Sequence, residues 1–235
     1  MLLLALDTST FIGTVAVVRG GELLAEWSAS VRATHGETLL PHVARVVELS
    51  GIELSAVDAF AVGIGPGSFT GVRIGLATAK GLALAQQKPI VGVSSLRILA
   101  RGSALPGGLI APMLDAHKGE VYAALYEQDR EGALHELVAP FHALPEVAAS
   151  VLSATQPEAP LWLSGSGLAR YEGSLLAALG PRARRAPRFC DAPRAACLAH
   201  EAMQKLEAQG PDDLATLAPL YLRGSDATLP KLAKG

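Results

Sequence analysis

Apolar and polar positions along this chain follow two periods, and the change from one to the other marks out its elements. Residues 2–6, LLLAL, form a short apolar run that closes on Asp7, the pattern of a buried strand. FIGTVAVV at 11–18 reads as a second strand, Gly20-Gly21 as a hairpin turn, and ELLAEWSAS at 22–30 as a third strand. The chain therefore opens with an antiparallel meander. The period then lengthens. Leu39, Leu40, Val43, Val46 and Val47 recur at helical spacing over about 37–50, with Thr34 or Gly36 ahead of Glu37 at the start. Pro41 lies within the first turn or so, where proline costs least, and Gly51 suits the C-cap. AFAVGIG at 59–65 is a strand, 69–86 an alanine- and leucine-rich helix, PIVGVS at 89–94 a strand and 95–104 a short helix. The order is βββαβαβα.

Pro106-Gly107-Gly108 breaks the pattern. GLIAPMLDA and EVYAALYEQ then read as a fresh pair of strands joined by DAHKG, LWL at 161–163 leads into Ser164-Gly-Ser-Gly167, and a long helix covers about 193–209 before LAPLYLRGSD. The pattern predicts two lobes, 1–105 and 106–235, the second a reduced relative of the first, with the helix near 193–209 able to pack back on the first. No low-complexity segment and no repeat of 20–50 residues is visible.

Composition narrows the function classes. Half of the 235 residues are hydrophobic, enough for a sizeable core. Twenty Lys and Arg stand against 22 Asp and Glu, a net charge of −2, which is not the footprint of a protein that grips nucleic acid alone. Arg182, Arg184, Arg185 and Arg188 make a local basic patch, read as a solvated loop between helices. Cys190 and Cys197 form no CxxC pair. No apolar run reaches the ~18–20 residues of a bilayer span. The first ten residues lack a basic leader region, so they read as a strand and the expected location is the cytoplasm.

The stretch GIGPGSFTGVRIG at 63–75 carries five glycines in thirteen residues and runs into an apolar helix. Its spacing fits neither GxxxxGK[ST] nor GxGxxG. A glycine turn between strand and helix still places free amides and a helix dipole at one spot, which suits an anion. Glycines also let a tight turn form and a helix approach closely. Both readings stay open here. Asp7-Thr8-Ser9-Thr10 at the end of the first strand reads either as a holder of hydrated metal and phosphate or as a self-bonded hairpin turn. The candidate anion or nucleotide site is thus Asp7, Thr8, Ser9, Gly65, Gly67, Ser68, Thr70 and Gly71. The six histidines include no pair four residues apart, and no GxSxG occurs, so no metal site or nucleophile is expected. The helix at 69–86 is apolar almost all round, which predicts burial on every side and a cover supplied by a neighbouring helix or a second protein. Gly71, Gly75 and Gly81 would allow that cover to come close.

ALDTST at the start, HGETLLP at 35–41, GPGSFTGVRIGLATAKGLA at 65–83, VGVSSL at 91–96, LDAHKGEVYAALY at 114–126 and PLYLR at 219–223 fall in order over nearly the whole chain. Together they resemble the TsaB (YeaZ) family of bacterial tRNA threonylcarbamoyladenosine synthesis. One departure is Asp115-Ala-His117, where the family usually shows DAR. The resemblance implies an actin/Hsp70/sugar-kinase-like (ASKHA) α/β fold of two lobes. In the catalytic relative TsaD, an HHMEGH segment supplies two metal-ligating histidines; aligned on Val93, those positions hold Ser95 and Leu99, which suit no iron or zinc. The implied role is a non-catalytic scaffold without cofactor or metal. It would pair with TsaD, be joined by a TsaE-like ATPase and tRNA, and support transfer of a threonylcarbamoyl group to N6 of adenosine 37 in tRNAs reading codons that start with A. The isolated chain would form a homodimer through much the same surface, and any nucleotide would lodge at a shared interface. The implied interface lies on the helices at 37–50 and 69–86: Leu39, Leu40, Val43, Val46, Val47, Phe69, Val72, Arg73, Leu76 and Lys80. The rival reading is an ATP-dependent kinase or ATPase of the same fold, working through Asp7, Thr8 and the Gly65–Gly71 loop. A third, a glycoprotein peptidase, lacks its histidine pair.

Overall fold

The computed structural model describes residues 1–31, 35–103 and 108–223. Thr34, Ala104 and the Pro106-Gly107 break, named above as boundaries, lie outside the described residues. The first lobe runs β1 (Leu2–Asp7), β2 (Ile12–Arg19), β3 (Glu22–Ser30), α1 (His35–Leu49), β4 (Ala59–Gly63), α2 (Phe69–Gln86), β5 (Ile90–Val93) and α3 (Ser95–Ser103). The second runs β6 (Leu109–Asp115), β7 (Val121–Gln128), β8 (Leu134–Ala143), α4 (Pro145–Ser153), β9 (Leu161–Ser164), α5 (Ser166–Leu179), β10 (Ala183–Arg185) and α6 (Ala195–Gln209).

Each lobe carries one five-stranded mixed sheet, in the order β3-β2-β1-β4-β5 and β10-β9-β6-β7-β8. β1 pairs antiparallel with β2 and parallel with β4, and β6 does the same with β7 and β9. The two sheets are therefore built alike. The expected reduction of the second lobe is not seen in its sheet, which has as many strands as the first; only the outermost strand, β10 of three residues, is shorter than any in sheet one.

Both faces of sheet one are covered, which is why β1 reads as one continuous apolar run. Leu2, Leu4 and Leu6 face a core shared with Leu39, Val43 and Val46 of α1 and Leu76, Ala79 and Ala83 of α2. Ala5, Ala16 and Ala61 face the other way, against Ala195, Leu198, Ala199 and Ala202 of α6. Small residues on both sides let α6 lie close to the strands. α4 and α5 cover the outer face of sheet two, with Leu152, Leu168 and Leu175 packed on Leu109, Met113 and Leu163. On β3, Trp27 stacks on His42 of α1 with ring centroids 3.6 Å apart.

The helices do not stay with their own lobes. α6 comes from the second half of the chain and packs on sheet one. Leu96, Leu99 and Ala100 of α3, from the first half, pack on Ile110, Leu114, Ala124 and Tyr126 of sheet two. α3 and α6 meet between the sheets. After α6 the chain returns as a strap along lobe one. Asp212 N donates to the Ile90 carbonyl at 2.9 Å, Leu220 N to the Ile64 carbonyl at 2.8 Å, and Leu214 and Leu217 pack on the first core.

His200 of α6 sits half-buried beside Gln204 and next to Glu201 in the sequence. Burial, and then the Arg101 charge, push its pKa below the ordinary value of 6.5. The folded chain thus prefers the neutral ring while the unfolded chain titrates normally. Stability from this residue is complete above about pH 6.5 and falls as the pH drops below that value towards the folded pKa. Thermal melts between pH 8 and 5 are expected to show a falling Tm, and His200→Gln is expected to flatten that part of the profile.

Candidate functional site

The Gly65–Gly71 loop and the Asp7–Thr10 turn are in direct contact. Thr8 Oγ donates to the Gly71 carbonyl at 2.7 Å, and Ser68 N donates to the Ser9 carbonyl at 2.7 Å. Gly71 N donates to Ser68 Oγ at 3.2 Å, so Ser68 caps α2 with its own side chain. A Cβ at Gly71 would stand 2.1 Å from the Thr8 carbonyl oxygen, one at Gly67 2.2 Å from that of Ser9, and one at Gly75 2.4 Å from Thr8 Oγ. Gly67 and Gly71 are required because turn and loop touch backbone to backbone, and Gly75 because the Thr8 hydroxyl lies against the helix.

Asp7 lies beneath this contact with no exposed surface. Its Oδ1 accepts from Ser9 N at 2.9 Å and from Ser9 Oγ at 2.7 Å, and its Oδ2 accepts from Ser95 Oγ at 3.0 Å. Ser95 Oγ in turn accepts from Gly65 N at 3.2 Å, and Ser95 N donates to the Gly65 carbonyl at 2.7 Å. A side chain at Gly63 would overlap the carboxylate, with its Cβ 1.7 Å from Oδ2. Of the eight residues assigned to the candidate anion site, Asp7, Thr8, Ser9, Gly65 and Gly71 are buried in this self-bonded network. Gly67 is partly buried, and Ser68 and Thr70 reach the surface. The cradle reading is corrected to that extent: the Ser68 and Gly71 amides that would hold an anion already bond within the chain. Ser95 and Leu99, at the aligned metal-ligand positions, serve as a hydrogen-bond partner of Asp7 and as a fully buried core residue.

Two adjoining cavities of about 480 and 570 Å³ lie between the lobes and share Gly67, Ser68, Thr70 and His117. The acids on their walls are paired. Asp115 accepts from Arg170 at 2.7 Å and from His117 N at 2.9 Å, while Asp191 accepts from Gly165 N at 2.8 Å and pairs with Arg185. His117 and Lys118 both take left-handed backbone conformations, φ 59° and 49°, in the β6–β7 turn. Among the described residues, no group of three or more His, Cys, Asp or Glu is placed to hold a metal, and no helix is long and apolar enough to cross a membrane. The basic patch is divided. Arg185 and Arg188 lie 3.4 and 3.7 Å from Glu172, and Arg182 donates to the Gln156 carbonyl at 2.8 Å.

α1 and α2 lie side by side on the outer face of lobe one. Of the ten residues expected to line an interface, Leu39, Val43, Val46, Val72 and Leu76 are buried within this chain and unavailable to a partner. Periodicity marked the apolar face correctly, but that face meets its own sheet. Val47 is partly buried. Arg73 Nε donates to the Tyr221 hydroxyl at 2.6 Å, with its guanidinium 3.6 Å from the Phe69 ring centroid, and Lys80 Nζ donates to the Ala215 carbonyl at 3.4 Å. Phe69, Arg73 and Lys80 therefore hold the C-terminal strap. The expectation that α2 is buried on every side also fails. Ala77, Gly81 and Leu84 form an exposed stripe at helical spacing, with Leu40 exposed on α1. Leu40 is 54% and Leu84 68% exposed. The 77-81-84 spacing was readable in the sequence; which side faced water was not.

A family model described as "TsaD: tRNA N6-adenosine threonylcarbamoyltransferase" matches residues 28–231. The chain is similar to the tRNA threonylcarbamoyladenosine biosynthesis proteins TsaB of Escherichia coli K12, 41% identical over 137 residues, and of Bacillus subtilis 168, 37% over 138 residues. Those matches cover 57% and 59% of this chain and span 59% and 60% of the relatives' own lengths. Among solved structures it is similar to YeaZ from Pseudomonas aeruginosa, with a TM-score of 0.81, 30% identity, and coverage of 94% of this chain and 99% of that one. A likeness in fold alone extends to the ROK hexokinase of Thermus thermophilus, with a TM-score of 0.50, 13% identity, and coverage of 89% of this chain and 99% of that one. The two-lobed actin/Hsp70/sugar-kinase-like architecture is thus shared.

The glycine contacts generate a paired prediction. Gly71→Ala is expected to destabilise the chain by about 1–3 kcal/mol, because backbone must move to admit the methyl group. Gly81→Ala meets no atom within 4 Å and is expected to be neutral or to stabilise by up to about 1 kcal/mol. Urea unfolding of the two variants beside the parent chain measures the contrast.

Proposed function

The chain belongs to the TsaB (YeaZ) family, and from that premise we propose that it is a non-catalytic scaffold of tRNA threonylcarbamoyladenosine synthesis, pairing with a TsaD-like catalytic subunit. In this reading the partner transfers the threonylcarbamoyl group to N6 of adenosine 37, and a TsaE-like ATPase and tRNA join the assembly without bond chemistry on this chain. The same surface closes a homodimer when the partner is absent.

The observation that carries the proposal is the exposed apolar stripe of α2. Ala77 and Gly81 give a shallow, small-residue track that continues in Leu84, and Leu40 is exposed on the neighbouring helix α1. Small residues let a partner helix approach closely, and an exposed apolar face of this kind marks a protein contact. The burial of Asp7 supports the absence of phosphoryl chemistry. A carboxylate that already accepts three hydrogen bonds with no exposed surface is poorly placed to order metal or water in the cleft.

Ala77→Glu combined with Leu84→Glu is expected to leave the isolated chain folded, since surface substitutions usually shift stability by less than about 0.5 kcal/mol. It is expected to abolish co-elution with the TsaD-like subunit, because an unpaired charge buried at an interface costs about 3–5 kcal/mol. Full co-elution and unimpaired tRNA modification by this variant would refute the assignment. Leu39→Glu and Val72→Glu are expected instead to unfold the isolated chain, since both residues lie in its core. Titration of the isolated chain with Mg-ATP in a calorimeter is expected to give no saturable heat. Micromolar binding that is lost on Asp7→Ala would favour the ATP-using rival.

A further inference from the structure

The boundary along which the lobes could move runs along α3, which lays Leu96, Leu99 and Ala100 on sheet two and turns Ile98 to α6 and sheet one. A buried charge cluster crosses that boundary. Glu201 of α6 has a side chain 1% exposed. Its Oε2 accepts from Arg97 Nε and its Oε1 from Arg101 Nε, each at 2.5 Å, and both arginines stand on α3. The guanidinium groups reach further. Arg97 Nη2 donates to the Leu134 carbonyl at 3.0 Å, and Arg101 Nη1 to the Gly132 carbonyl at 2.7 Å, both at the β7–β8 turn of lobe two. One carboxylate from the lobe-one body is thus joined through two arginines to a helix and a turn of the lobe-two body. The ends of α3 add further ties. Ser95 Oγ donates to Asp7 of lobe one, and Ser103 Oγ shares a 2.7 Å hydrogen bond with Ser164 Oγ of lobe two.

We propose that the Glu201–Arg97–Arg101 cluster holds the two lobes as one rigid body, with the cleft between them at a single width. Sliding α3 past α6 would leave the buried Glu201 carboxylate without its two guanidinium partners, an arrangement that a low-dielectric interior strongly disfavours. Shear motions of two-lobed proteins proceed by small sliding of packed helices, and here that sliding plane is bonded across. The consequence reaches beyond pairing: a partner meets one fixed composite surface, and nothing bound in the cleft can signal by closing it.

The test is pulsed electron–electron double resonance between nitroxides at Ala44→Cys on α1 and Ala177→Cys on α5. Both sites are exposed, and Cys190 and Cys197 are replaced by alanine. Labelled protein is diluted with unlabelled chain so that only distances within one molecule are read. The expected result is one narrow distance distribution, unmoved by Mg-ATP, that broadens or gains a second population in Glu201→Gln. A broad or two-peaked distribution in the parent, a shift on adding Mg-ATP, or a Glu201→Gln distribution as narrow as the parent's would overturn the proposal. If Glu201→Gln does not fold, Arg97→Gln, which leaves Arg101 on Glu201, supplies the same comparison. None of these outcomes bears on pairing, which co-elution reads separately.

Discussion

Thr8 and Ser9 press their carbonyl oxygens against the bare backbone of Gly71 and Gly67, and much of the molecule follows from that contact. It sets the depth of α2 on sheet one. At that depth Val72, Leu76, Ala79 and Ala83 are buried, and Ala77, Gly81 and Leu84 are left facing water. It also closes Asp7 in beneath the loop, where Ser9 and Ser95 bond to its carboxylate. A single added methyl group at either glycine would lift the helix off the turn and disturb both arrangements.

The same contact occupies a part of the fold that the chain shares with a ROK hexokinase. Strand, glycine turn and helix are all present, which is the geometry that presents amides to an anion. Here a hydroxyl cap and a neighbouring carbonyl bond to the Gly71 and Ser68 amides. Across the cleft, Asp115 and Asp191 are answered by Arg170 and Arg185. These two acids of the cleft wall are thus matched within the chain. The unmatched surface of lobe one is apolar and lies on the outer helices, which directs attention from the cleft to the outside of the molecule.

Much of this architecture was legible in advance. The meander, the three helices of lobe one, the paired strands at 109–128 and the long helix near the C-terminus follow from periodicity. Each is long, or bounded by clear glycine and proline signals. β8, α4, α5 and β10 were not legible, for identifiable reasons. β8 contains Pro140, and its pairing with β7 is irregular in two places, which blurs the alternation. α4 is nine residues long, and α5 begins at a glycine-rich stretch that reads as loop and is kinked at Tyr171. The matching strand order of the two sheets was hidden for the same reason.

The sequence by itself determined which residues are apolar at helical spacing, where the glycines stand, and the family motifs, because those depend on neighbours along the chain. Only the tertiary structure decided which side of α1 and α2 is core and which is surface. Two adjacent apolar stripes on one helix look alike until a sheet covers one of them. It alone joined Glu201 to Arg97 and Arg101, 104 and 100 residues away along the chain, since a buried carboxylate is matched by whatever cation the packing brings near. It alone turned GIGPGSFTGVRIG from a candidate cradle into a close backbone contact, because whether an amide is free depends on which carbonyl or hydroxyl folds against it.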